Sequence, residues 1–339
     1  MVSVRRTCRR CIGPLADDLS PSSPTWTPIG SGAHPMRDLL SKPLLVVTGK
    51  GGVGKSTVAA ALGVAAAARG LRTIVAEVSA RDDVSRALAG TGDGSVFVER
   101  SVGSGLHHIS IDPESALEEY LRDQLPRGVS DVLASSRMFS YLAAATPGLS
   151  ELLTVGKVWE LAQPDRRTPG AHPYDLVILD APATGHGVAI LTAPQTFADA
   201  ARMGPVARQG GIIHAMLADP DRTAVVAVAT PEEMPVNETL ALQRVLAAEL
   251  GQRFAAVVVN GVLPKRFSRA EADALDRVVP GSRAVRAARA EARRSRAHRA
   301  QIARLRRGVG GVEVRSLPQL FESELGPEQL RRLAGELVT

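Results

Sequence analysis

The sequence predicts a doubly wound α/β domain built on a mostly parallel sheet, and three observations carry that expectation. Short apolar runs of strand length alternate with longer segments whose apolar residues recur at helical spacing. A glycine-rich stretch, Gly49 to Gly54, joins the first such run to the first helical segment. Two later apolar runs end in polar residues, Asp180 and Asn260, at the strand ends where sheets of this kind bind ligands.

The elements follow in order. Residues 1–40 carry Pro, Ser, Gly and scattered Arg without a hydrophobic period, so they are expected to be disordered, with Met36 an alternative start. Residues 44–48 read as a buried strand, 49–54 as a turn that needs glycine, 56–69 as an alanine-rich helix closed by Gly70, and 72–78 as a second strand. This strand–loop–helix–strand unit starts a parallel sheet. Helices are expected over 115–122, 129–144 and 149–161. Strands are expected over 175–180, 223–229 and 254–260, with a helix over 235–250 between the last two. An arginine-rich helix over 282–307, a short strand over 312–315 and a helix over 327–337 close the chain. The organisation expected is an extension over 1–40 and one domain over 41–339, with a helical cap inserted at about 112–163 and 195–218.

Composition narrows the classes. Of 339 residues, 45% are hydrophobic, enough for a sizeable core. No apolar run reaches the roughly 20 residues a spanning helix needs, which excludes an integral membrane protein of helical type. The N-terminal arginines precede no apolar segment, so no secretory leader and a cytoplasmic location are expected. The two cysteines, Cys8 and Cys11, lie in the extension and read as an incidental pair, because a closed zinc site takes four ligands. The net charge of +6 is local: residues 282–307 hold ten arginines against one glutamate, which leaves −3 for the rest. A basic stripe of that kind suits nucleic acid, anionic lipid or an acidic partner, and otherwise is a solvated face. No aromatic residues interleave with it, which argues against stacking of single-stranded nucleic acid, and a nucleic-acid partner is not expected.

Gly49-Lys50-Gly51-Gly52-Val53-Gly54-Lys55-Ser56-Thr57 satisfies the phosphate-binding pattern G-x-x-x-x-G-K-[ST]. It follows an apolar strand and opens a helix, the context in which backbone N–H groups and the positive helix end converge on an anion. By this pattern Lys55 reaches the β- and γ-phosphates, Ser56 ligates Mg²⁺ and Thr57 adds a hydroxyl to the α-phosphate. Asp180 ends an apolar strand and suits a magnesium-bound water. Lys50 is a second cation within the loop. It would crowd Lys55 at its own γ-phosphate, and it suits the site of a second subunit, as an arginine finger does in trans.

These residues resemble the deviant, signature-lysine P-loop of the arsenite-pump and tail-anchored-protein-targeting ATPases, whose broader relatives include the partition ATPases and the nitrogenase iron protein. Asp180-Ala-Pro-Ala-Thr184-Gly185-His186 resembles the family's switch II, and Thr146-Pro147-Gly148-Leu149-Ser150-Glu151 resembles an element of its helical subdomain. Val257-Val-Val-Asn260 resembles the segment whose asparagine reads adenine. The resemblance spans roughly residues 42–335. It implies a P-loop NTPase fold, ATP and Mg²⁺ as ligands, and ATP hydrolysis coupled to a conformational switch. It also implies a homodimer, or a heterodimer with a paralogous ATPase, and a protein client whose identity is open, membrane-associated clients included.

The sequence departs from the family in three places. Where relatives carry an Asp that positions the attacking water, alignment puts Ser79; Glu77, Asp82 and Asp83 are the nearby carboxylates. The metal-binding cysteines of the family are missing from the domain. The segment between switch II and residue 223 carries Met203 and Met216 only, not a methionine-rich helix. Two readings follow: a dimeric ATPase switch, and a catalytically weak nucleotide-binding scaffold paired with an active paralogue. A weaker third is a partition-type ATPase that uses the arginine helix on DNA.

Overall fold

The computed structural model describes residues 35–338 except 79–82, 91–93, 125–145, 169, 202, 275–276, 278–281 and 323–324. The expected disorder of residues 1–34, the cysteine pair, Ser79, Asp82 and the helix expected over 129–144 all lie outside the described residues. The fold starts earlier than residue 41: helix α1 (Pro35–Leu39) buries Met36 completely and Leu39 nearly so.

Eight strands among the described residues form one sheet. They are β1 (Leu44–Gly49), β2 (Thr73–Val78), β3 (Arg100–Gly103), β4 (Leu106–Ile111), β5 (Leu176–Asp180), β6 (Thr223–Ala229), β7 (Ala256–Val262) and β8 (Glu313–Pro318). Their order is β3-β4-β2-β5-β1-β6-β7-β8, and every pairing is parallel except the edge pair β3–β4. The β3–β4 edge is absent from the sequence expectation. β3 is too short and polar to show a period, and β4 carries two adjacent histidines in an otherwise apolar alternation.

The helices are α2 (Lys55–Ala67), α3 (Asp83–Ala89), α4 (Pro113–Gln124), α5 (Leu149–Leu161), α6 (Thr184–Ala201), α7 (Pro205–Ala218), α8 (Glu233–Leu250), α9 (Arg269–Ala274), α10 (Arg283–Gly308) and α11 (Pro327–Val338). The central strands are buried on both faces, which is why they read as continuous apolar runs rather than as alternating ones. Alternation still decides which helix each side chain meets. Leu44, Val46, Ile74 and Leu179 face a core shared with α5, α6, α7, α8 and α10. Leu45, Val47, Val75 and Ile178 face α1, α2 and α11. Together the helices cover both faces of the sheet.

Close approach explains two of the glycines. A Cβ on Gly63 would lie 2.9 Å from Val75 Cγ2, so the missing side chain lets α2 sit down on β2. A Cβ on Gly210 would lie 2.6 Å from the Pro194 carbonyl oxygen, where α6 and α7 cross. The segment expected as a separate cap piece from residue 195 is in fact the continuation of α6, which starts at Thr184 and runs through Pro194.

Register then places the site. Parallel pairing aligns Val47 with Asp180 and Glu77 with Asp180, so β1, β5 and β2 end side by side. The loop from β1 into α2 crosses these ends, where open α/β sheets bind ligands.

A candidate nucleotide-binding site

The loop from Gly49 to Gly54 takes its shape from backbone that side chains resist. Gly52 and Gly54 are left-handed, with φ of 80° and 91°, and Gly49 has φ 146°. A Cβ at Gly49 would come within 2.2 Å of the Val228 carbonyl oxygen on β6. A Cβ at Gly54 would come within 2.2 Å of Asn260 Nδ2. The loop is thus pressed between β6 and β7 and delivers Lys55 as the first residue of α2.

Four of the expected site residues are brought together here. Lys55 Nζ donates to the Lys50 carbonyl oxygen at 3.1 Å, so its ammonium arches back over the loop. Burial pulls the Lys55 ammonium below its ordinary range, and the Asp180 carboxylate opposes that shift. Ser56 Oγ donates to Asp180 Oδ2 at 2.6 Å. Asp180 is 6% exposed, and its Oδ1 is buried without a hydrogen-bond partner among the described residues. Burial pushes the Asp180 carboxyl up to about 7; the Ser56 hydrogen bond and Lys55 pull it down, while Glu77 and Asp83 add to the rise. A buried carboxylate oxygen without a hydrogen-bond partner, beside a hydroxyl, calls for an explanation. A hard divalent cation supplies one, so Ser56 and Asp180 fit Mg²⁺.

The remaining expected residues are placed as follows. Asn260 Nδ2 donates to the Val53 carbonyl oxygen at 3.0 Å, which ties β7 to the loop and leaves Oδ1 as the amide's acceptor. Gly51 is exposed, Val53 buried and Thr57 half-buried. Glu77 is 3% exposed. It accepts from the N–H groups of Asp83 at 3.2 Å and Val84 at 3.3 Å, and it pairs with His108 Nε2 at 3.3 Å. Glu77 therefore anchors the start of α3, and its lone pairs are committed there rather than held toward a water. Thr184, Gly185 and His186 open α6, with their side chains outside the described set.

Lys50 Nζ is also engaged within the chain. Its ammonium forms an ion pair with Glu238 of the same chain, on α8. Sequence reasoning missed Glu238 because 188 residues separate the two, and no local pattern marks it. It missed His108 for a related reason: nothing in β4 says which of two adjacent histidines faces β2.

On the other side of the sheet, α4, α5 and α7 surround an apolar cavity of about 210 Å³ lined by Leu117, Leu121, Leu152, Leu153, Val206 and Ile213. Lys157 at its rim is compensated by Glu119 at 2.7 Å and Glu160 at 3.1 Å. Beside it Arg166 binds Glu99 and Glu160, and Tyr174 donates to Glu99 at 2.8 Å. No helix among the described residues is long and apolar enough to cross a membrane.

Comparison with known proteins agrees with this geometry. The family described as anion-transporting ATPase matches residues 42–212 and 200–277. The ATPase BagA of Mycobacterium tuberculosis is 32% identical over 230 residues, 65% of this chain and 65% of that protein. The arsenical pump-driving ATPase of Escherichia coli is 29% identical over 243 residues, 66% of this chain and 40% of its own length. That of Acidiphilium multivorum is 28% identical over 253 residues, 69% of this chain and 41% of its own. The matched region thus spans about two thirds of the mycobacterial relative and less than half of the pump proteins. The matched residues contain the P-loop, Ser56, Asp180 and Asn260, and the chain belongs to the anion-transporting ATPase family.

Proposed function

We propose that the protein binds and hydrolyses ATP with Mg²⁺ and works as a dimeric switch in the cytoplasm. The observation that carries this reading is the meeting of Lys55, Ser56 and a buried, half-satisfied Asp180 under a loop that only glycine can form. Two relatives, the ATPase BagA and the arsenical pump-driving ATPase, support it.

Bound Mg²⁺·ATP supplies the phosphoanhydride and the metal charge. The chain's own residues do the rest. Loop N–H groups and the α2 N-terminus accept the anion, while Lys55 exchanges its carbonyl partner for phosphate. Ser56 and Asp180 hold the metal, which requires Asp180 to be ionised. Asn260 Oδ1 would accept a hydrogen bond from the base, and Thr57 would add a hydroxyl to the α-phosphate. Lys50 acts across a dimer, neutralising charge that develops in the partner's site. The helices around the apolar cavity form a cap that binds and releases a client protein.

Lys50→Ala then keeps nucleotide affinity within about threefold and loses turnover by about 10³-fold, the scale of a trans-acting cation. Unchanged turnover in that variant removes the cross-subunit role.

A second reading rests on a specific observation. Glu77 is committed to α3 and His108, and residue 79 is serine. A chain without a water-positioning carboxylate would serve as a nucleotide-binding scaffold for an active paralogue. Ser79→Asp separates the two: a gain in turnover favours the scaffold, and no gain in an already active protein favours the switch.

A further inference from the structure

Lys50 links both cations of the loop. Its carbonyl oxygen accepts from Lys55 at 3.1 Å, and its own ammonium pairs with Glu238. The pair is about one-third exposed on each side, so it is neither freely solvated nor sealed. Glu238 sits on the second turn of α8, whose next-door Asn237 accepts from Arg304 Nη2 of α10 at 2.6 Å. The carboxylate is therefore presented by a helix braced against its neighbour, while the lysine is presented by an irregular loop. A phosphate arriving near the loop offers Lys50 a more highly charged partner than one carboxylate does.

We propose that Glu238 is a positioning residue that holds Lys50 on its own chain and is displaced when a partner subunit's nucleotide competes for that lysine. The inference rests on reading Lys50 as a phosphate ligand in trans. In the resting chain the Lys50–Glu238 pair withholds the cation that a dimer needs. On closure each Lys50 leaves the Glu238 of its own chain, so the cost of breaking two partly exposed ion pairs is subtracted from every ATP-driven dimerisation. Such a cost is small enough to be overcome by phosphate and large enough to raise the threshold for closure. The pair thus sets the ATP and protein concentrations at which the switch closes, without touching the reacting atoms.

The test is a double-mutant cycle on the full chain: wild type, Glu238→Gln, Lys50→Ala and the double variant, with Mg²⁺ and a hydrolysis-resistant ATP analogue. Sedimentation velocity gives the protein concentration at half-dimerisation, and steady-state ATP turnover gives kcat and KM. The expected result is that Glu238→Gln lowers the half-dimerisation concentration roughly two- to thirtyfold, the range for two partly exposed pairs. It leaves kcat at saturating protein within twofold, and its effect disappears in the Lys50→Ala background. An equal effect in both backgrounds overturns the proposal, because Glu238 then acts independently of Lys50. A loss of kcat with unchanged dimerisation also overturns it, because Glu238 then serves the reaction itself. If Lys50→Ala dimerises and turns over like the wild type, the trans reading fails first and takes this one with it. Should Glu238→Gln melt well below the wild type, Glu238→Asp takes its place. Shortened by one methylene, it weakens the pair while keeping the charge, and its half-dimerisation concentration falls between wild type and twofold lower if the pair is the device.

Discussion

At the scale of single residues, the site depends on backbone that will not tolerate a side chain. Gly54 combines a φ of 91° with an Asn260 amide 2.2 Å from where a Cβ would stand. Gly54→Ala must strain or push β7 away, at about 1–3 kcal/mol for the backbone alone. It is expected to weaken binding of a fluorescent ATP analogue by tenfold or more, with a lower melting temperature. Asp180 yields a pH prediction. Its carboxyl is raised to about 7 by burial, above the 3.8 of a free aspartate. Between those values the folded protein holds a proton that the unfolded chain releases, so this residue's contribution to stability falls as pH rises from about 4 to about 7 and is flat above that. Asp180→Asn removes the slope. Denaturant unfolding of magnesium-free wild type and variant across that range should show their difference growing by on the order of a few kcal/mol. A constant difference would show that Asp180 titrates as it does in water. The phosphate-binding residues were legible in sequence because a P-loop is local: nine consecutive residues hold its chemistry. Glu238 and the commitment of Glu77 to His108 were not, since both are set by which strands and helices end up adjacent.

At the scale of elements, the buried ion network joins α5 to the segments that lead into β3 and β5. Arg166 has 1% of its side chain exposed and pairs with both Glu99 and Glu160, the latter shared with Lys157. Arg166→Leu leaves Glu99 without its cation and Glu160 with Lys157 alone, which costs about 3–5 kcal/mol. Burial would raise the pKa values of Glu160 and Glu99, but Arg166 and Lys157, joined at Glu99 by Tyr174, together outweigh it and both carboxyls lie below their ordinary range. Their contribution is therefore present above the unfolded pKa near 4.5 and is lost as pH falls through the lower folded values. Acid unfolding monitored by circular dichroism should be steeper in wild type than in the variant; equal midpoints and slopes would deny the network that role. Strands β1, β5, β6 and β7 were readable as elements because burial on both faces makes them uniformly apolar. The β3–β4 edge was not, because an edge strand such as Arg100–Gly103 has solvent on one side and no run to display. Helix α10 matched its expectation closely, since its buried Ala292, Ser295, Ile302 and Leu305 recur at helical spacing beneath the exposed arginines.

At the scale of the whole molecule, sheet order turns separate strand ends into one site. β1 brings the loop, β5 brings Asp180, and β7 brings Asn260 from two strands away to close on Val53. Helix α6 follows β5 and Asp180 in the chain, and it packs on α5 and α7, two of the helices that line the apolar cavity. The proposed function makes this a nucleotide-hydrolysing site centred on Lys55. The most direct test is ATP binding and steady-state turnover with Mg²⁺ for the wild type beside Lys55→Ala. The wild type is expected to bind and turn over ATP, while Lys55→Ala retains its fold and loses turnover by at least about 10²-fold, the scale of removing one transition-state charge contact. A wild type that does not bind ATP, or a folded Lys55→Ala that turns over as fast, would contradict it.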